Sequence, residues 1–147
     1  NIVKLFTLVL ATLVSINTHA QDSRTYIDGR SAADPDVPPY SGAVLIRDTL
    51  YLAGAIGLDE NSEVPEDPAD EARNVLNAIK LNLEAAGMTM DDLVSIQVFC
   101  SDVSYYQAFN DVYRTFFTQE YPARAFIGAG TLLFDARFEV QGIAVKR

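Results

Sequence analysis

Apolar and polar positions along this chain alternate between two periods, and the switch between them predicts the elements. Ala72, Val75, Leu76, Ile79, Leu83 and Ala86 recur at helical spacing, which lines one face of a first helix. Asp67-Pro68 supplies a cap residue followed by proline at the first helical position, and Gly87 supplies the stop. A second helical stripe is formed by Phe109, Val112, Tyr113 and Phe116, with Ser104 and Gln107 spaced as a capping box ahead of it. Residues 93–100 instead alternate with Ile96 and Val98 on one face, which predicts a strand. Residues 43–47 and 50–56 predict two further strands around Asp48-Thr49, the second apolar throughout and so central. Two strands close the chain, near 123–129 and 136–145. The expected order is ββαβαββ. That order predicts an α+β fold of two layers, two helices packed on one face of a mainly antiparallel sheet.

Outside these elements the chain divides simply. Lys4 precedes an apolar run from Leu5 to Ile16 and then Thr18-His19-Ala20. This reads as residues 1–20 of a signal peptide cut after Ala20, giving a secreted or periplasmic protein. The run is about half of the roughly 20 residues that span a bilayer, so no membrane association is expected once the signal is removed. The chain opens on Asn1 rather than Met, so a residue or more is expected upstream. Residues 21–38 are polar and Pro-rich without a period and read as an extended lead-in. Residues 39–147 then form the one domain.

Charge and rare residues remove whole classes of function. The chain has a net charge of −9, and its leader contributes one lysine and no acid. Such a surface repels phosphate backbones, so no nucleic-acid partner is expected. Seven of the acids lie between Asp59 and Glu71, where a solvated loop and helix start are expected. One His and one Cys speak against a zinc site, and no metal or other cofactor is expected. Cys100 falls in an apolar strand pattern and reads as a packed thiol.

The candidate chemistry sits near the end of the chain. Pro122-Ala123-Arg124 opens one strand, and Glu139 lies inside the next. An arginine that grips a carboxylate, with a carboxylate that handles a water, suits hydrolysis of a small organic acid. Each residue alone also has an ordinary reading. Arg124 could be a solvated strand end, Glu139 could pair with Arg137, Tyr40 could pack the end of the lead-in, and Asn110 could face water.

Taken together, from Pro39 to the C-terminus, they resemble the RidA/YjgF family, first labelled L-PSP endoribonucleases and now described as enamine/imine deaminases. The matching pieces include Pro39-Tyr40-Ser41, Leu52-Ala53-Gly54, Glu71-Ala72-Arg73, Leu83-Glu84-Ala85-Ala86-Gly87, Phe109-Asn110-Asp111-Val112-Tyr113, Phe116-Phe117, Pro122-Ala123-Arg124 and Glu139-Val140. The resemblance implies a chorismate-mutase-like domain assembled as a homotrimer with clefts between subunits. It also implies hydrolysis of 2-imino acids, of the 2-iminobutanoate and 2-iminopropanoate type, to 2-oxo acids and ammonia. By the same resemblance Arg124 holds the substrate carboxylate, Glu139 orients the attacking water, and Tyr40, Gly54 and Asn110 line the site. The chain departs from the family pattern at Ala53 and Ala55, where Ser and Gln or Thr are usual, and at Ala125, where Ser or Thr is usual. These changes make the pocket less polar, and a non-catalytic binder of small molecules is the alternative. Ribonuclease action has no support in the charge.

Overall fold

The computed structural model describes residues 23–147, so the expected signal peptide and its cut lie outside the described residues. Six strands form one sheet: β1 (Arg24–Ile27), β2 (Ala43–Ile46), β3 (Thr49–Ile56), β4 (Leu93–Cys100), β5 (Ala123–Gly128) and β6 (Phe138–Val145). Two helices, α1 (Pro68–Ala85) and α2 (Tyr106–Tyr113), complete the elements. The spatial order is β1-β2-β3-β6-β4-β5, antiparallel everywhere except for the parallel pair β4–β5 at one edge.

The expected two-layer α+β fold is present, with one strand more than the pattern showed. β1 lies in the stretch read as an extended lead-in without a strand of its own and pairs with β2 from Arg24↔Ile46 to Ile27↔Ala43. The order is therefore βββαβαββ. Four residues are too few to display a period, although Thr25, Tyr26 and Ile27 all favour strands. The hairpin turn is Arg47-Asp48 rather than Asp48-Thr49, and Arg47 takes a left-handed φ of 54° to close it.

Helix α1 forms as its sequence dictates. The Asp67 side chain accepts from the Ala69 amide at 2.8 Å, Pro68 occupies the first turn, and Gly87 ends it at φ 71°. Its buried face carries Ala72, Val75, Leu76, Ile79 and Leu83. These pack on Leu50, Leu52, Ile96, Val98, Phe138, Val140 and Ala144 from the helix-facing side of the sheet. Each large side chain buried there contributes roughly 1.5–3 kcal/mol of hydrophobic stabilisation. The start of α2 differs from expectation. Asp102, not Ser104, caps a short 3-10 turn by accepting from the Ser104 amide at 2.8 Å, and α2 proper begins at Tyr106. Gln107 instead donates to Asp111 along the helix at 2.7 Å.

Cys100 is fully buried, its thiol donating to the Asp102 carbonyl at 2.9 Å, and burial pushes its pKa up. The acidic stretch is solvated as expected apart from Glu71, which is 0% exposed. Glu71 accepts from the Arg137 amide at 2.6 Å, the Phe138 amide at 3.1 Å and Arg137 Nη1 at 2.8 Å. It thereby fixes where β6 begins. Arg137 is thus the partner of Glu71, not of Glu139.

Candidate functional site

The five residues singled out in the sequence fall into two clusters. Arg124 and Asn110 are together, with Tyr106, Tyr113, Arg114, Tyr121 and Pro122, around a cavity of about 180 Å³. Tyr40, Gly54 and Glu139 are together around a second cavity of about 550 Å³. The two cavities share no lining residue.

Sheet register explains the separation. Arg124 pairs with Ile96 on β4, and Ile96 is buried beneath the helices. Glu139 pairs with Phe99, three positions further along the same strand. Side chains alternate between faces, so an odd offset places Arg124 on the helix side and Glu139 on the open side. Within one chain, β6 and β5 are also separated by β4.

Arg124 is held by aromatic rings. Its guanidinium carbon lies 4.6 Å from the Tyr113 ring centroid, 5.7 Å from that of Tyr106 and 5.7 Å from that of Phe126. Rings supply attraction to the cation without consuming its N–H donors. Nη1 of Arg124 is buried with no hydrogen-bond partner, as is the Tyr113 hydroxyl. Asn110 is almost fully buried on α2 at the edge of this cavity, which rules out the reading in which it faces water. Hydrogen bonding with Asn110, and then the Arg124 charge, lowers the pKa of the Tyr106 hydroxyl. The cavity is thus a cationic slot walled by rings, shaped for an anion.

Glu139 lies directly over Gly54. A Cβ added at Gly54 would collide with Oε1 of Glu139, so only glycine lets this carboxylate sit flat on β3. The pairing of β3 with β6 shifts register between Leu52 and Ala55, the bulge that opens this space. Around Glu139 the walls are Ala53, Ala55, Ile56, Leu58, Tyr40, Leu133 and Phe134. Phe134 is 68% exposed and adopts φ 60°, followed by Asp135 at φ 57°. Two successive side-chain-bearing residues in the left-handed region are strained, and such strain concentrates at functional sites. Tyr40 is tethered by Arg30, whose Nη1 donates to the Tyr40 carbonyl at 2.8 Å while its guanidinium stacks 5.2 Å from the ring centroid. Arg30 itself is paired with Asp28 at 2.5 Å.

Sequence reading did not single out Arg30, Tyr113 or Phe134 as site residues. Arg30 sits in the Pro-rich lead-in, and Tyr113 looked like one more member of an apolar stripe. Among the described residues no group of three or more His, Cys, Asp or Glu side chains could hold a metal ion. No helix among them is long and apolar enough to cross a membrane. The side chains of the two clusters can bind an anion at one and handle water with a carboxylate at the other.

Comparison with known proteins gives a consistent answer. Residues 31–146 match the family model described as Endoribonuclease L-PSP. The 2-iminobutanoate/2-iminopropanoate deaminase of the mite Dermatophagoides farinae is 36% identical over 115 residues, 77% of this chain and 90% of that protein. The protein of the same name from the goat Capra hircus is 37% identical over 112 residues, 75% of this chain and 82% of that one. Among solved structures, RidA from an Antarctic Psychrobacter superposes with a TM-score of 0.70 at 33% identity, covering 74% of this chain and 89% of that one. TdcF of E. coli with bound serine gives 0.72 at 30% identity, covering 76% and 91%. With a match across most of its length and relatives above one-third identity, the chain belongs to the RidA/YjgF family, which also carries the name Endoribonuclease L-PSP.

Proposed function

We propose that this protein is a deaminase that hydrolyses small 2-imino acids to 2-oxo acids and ammonia. The observation that carries the reading is the pair of half-sites: a ring-walled arginine with an unpartnered buried donor, and a glutamate seated over Gly54 in an open cavity. The names of the relatives support it.

The chemistry needs little beyond these groups. A 2-imino acid already has an electrophilic C=N carbon. Arg124 binds its carboxylate in a two-pronged grip and so fixes the carbon in place. Glu139 accepts a proton from water as the water oxygen bonds to that carbon, and the C=N π pair moves to nitrogen. Returned to nitrogen, that proton completes a carbinolamine. Glu139 then takes the hydroxyl's proton and passes it to the same nitrogen, the oxygen pair forms the C=O bond as the C–N bond breaks, and ammonia and the 2-oxo acid are released. Water is the only co-reactant.

Arg124 and Glu139 lie on opposite faces of one sheet, so a working site needs two copies of the chain. We infer a homotrimer in which Arg124 of one subunit faces Glu139 of the next. The open face, with Tyr51 exposed and Gln97 bonded to Gln141 at 2.6 Å, is the surface such an assembly would cover. The apolar walls at Ala53, Ala55, Ile56 and Phe134 favour imines with apolar side chains over polar ones. A non-catalytic binding role is the second reading, favoured by the absence of polar side chains at Ala53 and Ala55. Export with cleavage after Ala20 is proposed on the sequence of residues 1–20, and N-terminal sequencing of the native protein tests it.

Ammonia release from enzymatically generated imines of a panel of amino acids is the direct assay. Arg124→Ala should lower the rate at least about tenfold, with little rescue by Lys, because an ammonium lacks the planar fork. Glu139→Gln should cost on the order of 10²-fold. Rates within twofold of wild type for both variants would reject the mechanism, and ligand binding without ammonia release would establish the binding role.

A further inference from the structure

Among the described residues, the buried side-chain polar atoms without a hydrogen-bond partner are the Tyr113 hydroxyl and Arg124 Nη1. Both residues line the same cavity of about 180 Å³. A buried hydroxyl with no partner destabilises the fold that contains it. Packing does not require it. The Tyr113 ring stacks on Phe109 at 5.8 Å, meets Phe117 at 4.7 Å and Tyr121 at 6.0 Å, and carries the Arg124 guanidinium at 4.6 Å. A phenylalanine would keep every one of those contacts. What tyrosine adds is one donor, only 4% exposed as a residue, beside an arginine donor that is equally unmet.

We propose that Tyr113 is a ligand-binding residue, its hydroxyl donating to the substrate carboxylate that Arg124 also grips. A carboxylate offers about four lone-pair sites on two oxygens, so a phenol and a guanidinium bind it together without competing. Burial raises the Tyr113 pKa to about 12, which keeps the hydroxyl protonated and therefore a donor at neutral pH. The cation–ring contact fixes the two donors relative to each other before any ligand arrives, so neither must be ordered on binding. Tyr113 is in this sense the second prong of the anion slot. The inference rests on Arg124 as the carboxylate anchor.

The test uses 2-oxobutanoate, a product of the proposed reaction, and 2-oxobutanamide, its uncharged analogue. Binding of each to the intact oligomer is measured by calorimetry for wild type, Tyr113→Phe and Arg124→Ala, with thermal unfolding of each protein without ligand. Tyr113→Phe should weaken 2-oxobutanoate binding about tenfold and reduce its preference over the amide, while the melting temperature stays level or rises because an unpaired buried hydroxyl is gone. A Kd within twofold of wild type, or weaker binding accompanied by a lower melting temperature, overturns the proposal. Lost binding in Arg124→Ala with unchanged binding in Tyr113→Phe refutes the role of Tyr113 alone. Unchanged binding in both refutes the anchor itself.

Discussion

Gly54 shows how one missing carbon shapes this site. Its absent Cβ is the space that Glu139 occupies, so Gly54→Ala must push the carboxylate away from β3. The expected result is at least a tenfold fall in ammonia release with the fold retained, since a displacement of about 1 Å in a catalytic group can cost 10²-fold. Circular dichroism and turnover measured side by side check it. Tyr113 makes a second residue-scale prediction, in alkali. Its ordinary pKa of 10.0 rises to about 12 in the fold through burial. The unfolded chain therefore ionises first, and this contribution to stability is complete below pH 10 and declines between 10 and 12. Tyr113→Phe should flatten the loss of stability across that window, as read by urea unfolding at a series of pH values. The sequence offered Arg124, Glu139, Tyr40, Gly54 and Asn110 as candidates. Their division between two cavities was not legible, because it depends on pairing through β4, and the parity of Ile96 and Phe99 cannot be known before the register is.

Elements were legible where a period ran long enough to be counted. Helix α1 has a cap, a stop and a periodic apolar stripe, and it buries five of the six positions read for it, the sixth, Ala86, falling just past its end. Strand β1 has four residues and no period, and its existence is settled by pairing with β2. At α2 the local letters favoured Ser104 as the cap, but Asp102 holds the Ser104 amide instead. Glu71 was read as part of a solvated acidic run. It had a signal, however: it is four residues before Val75, on the line that continues through Ile79 and Leu83 to the buried face of α1. The consequence is a buried ion pair that ties α1 to the first residues of β6, one residue ahead of Glu139. Glu71→Ala takes the carboxylate from Arg137, which keeps its bonds to the Pro65 and Glu66 carbonyls, leaves two backbone amides unmet, and should destabilise the fold by about 3–5 kcal/mol. Glu71→Gln keeps an acceptor for the amides and should cost less. Equilibrium denaturation ranks the two, and equal costs would mean that the charge, not the backbone contacts, sets the strand's start.

At the scale of the whole molecule, the sheet has one covered face and one open face, and the two proposed reactive side chains lie on opposite ones. In the proposed trimer they would meet only across a boundary between copies. Mixed oligomers test that placement. Arg124→Ala and Glu139→Gln proteins, each nearly inactive alone, are co-expressed with different tags and purified as assemblies containing both. Each mixed assembly can contain sites that draw an intact Arg124 from one copy and an intact Glu139 from another. In such a trimer one boundary in three joins an intact Arg124 to an intact Glu139, so the purified mixed assemblies should show about a third of wild-type ammonia release. Activity that stays at the level of the separate variants would rule out the shared site, because it would place both residues of each site in one chain.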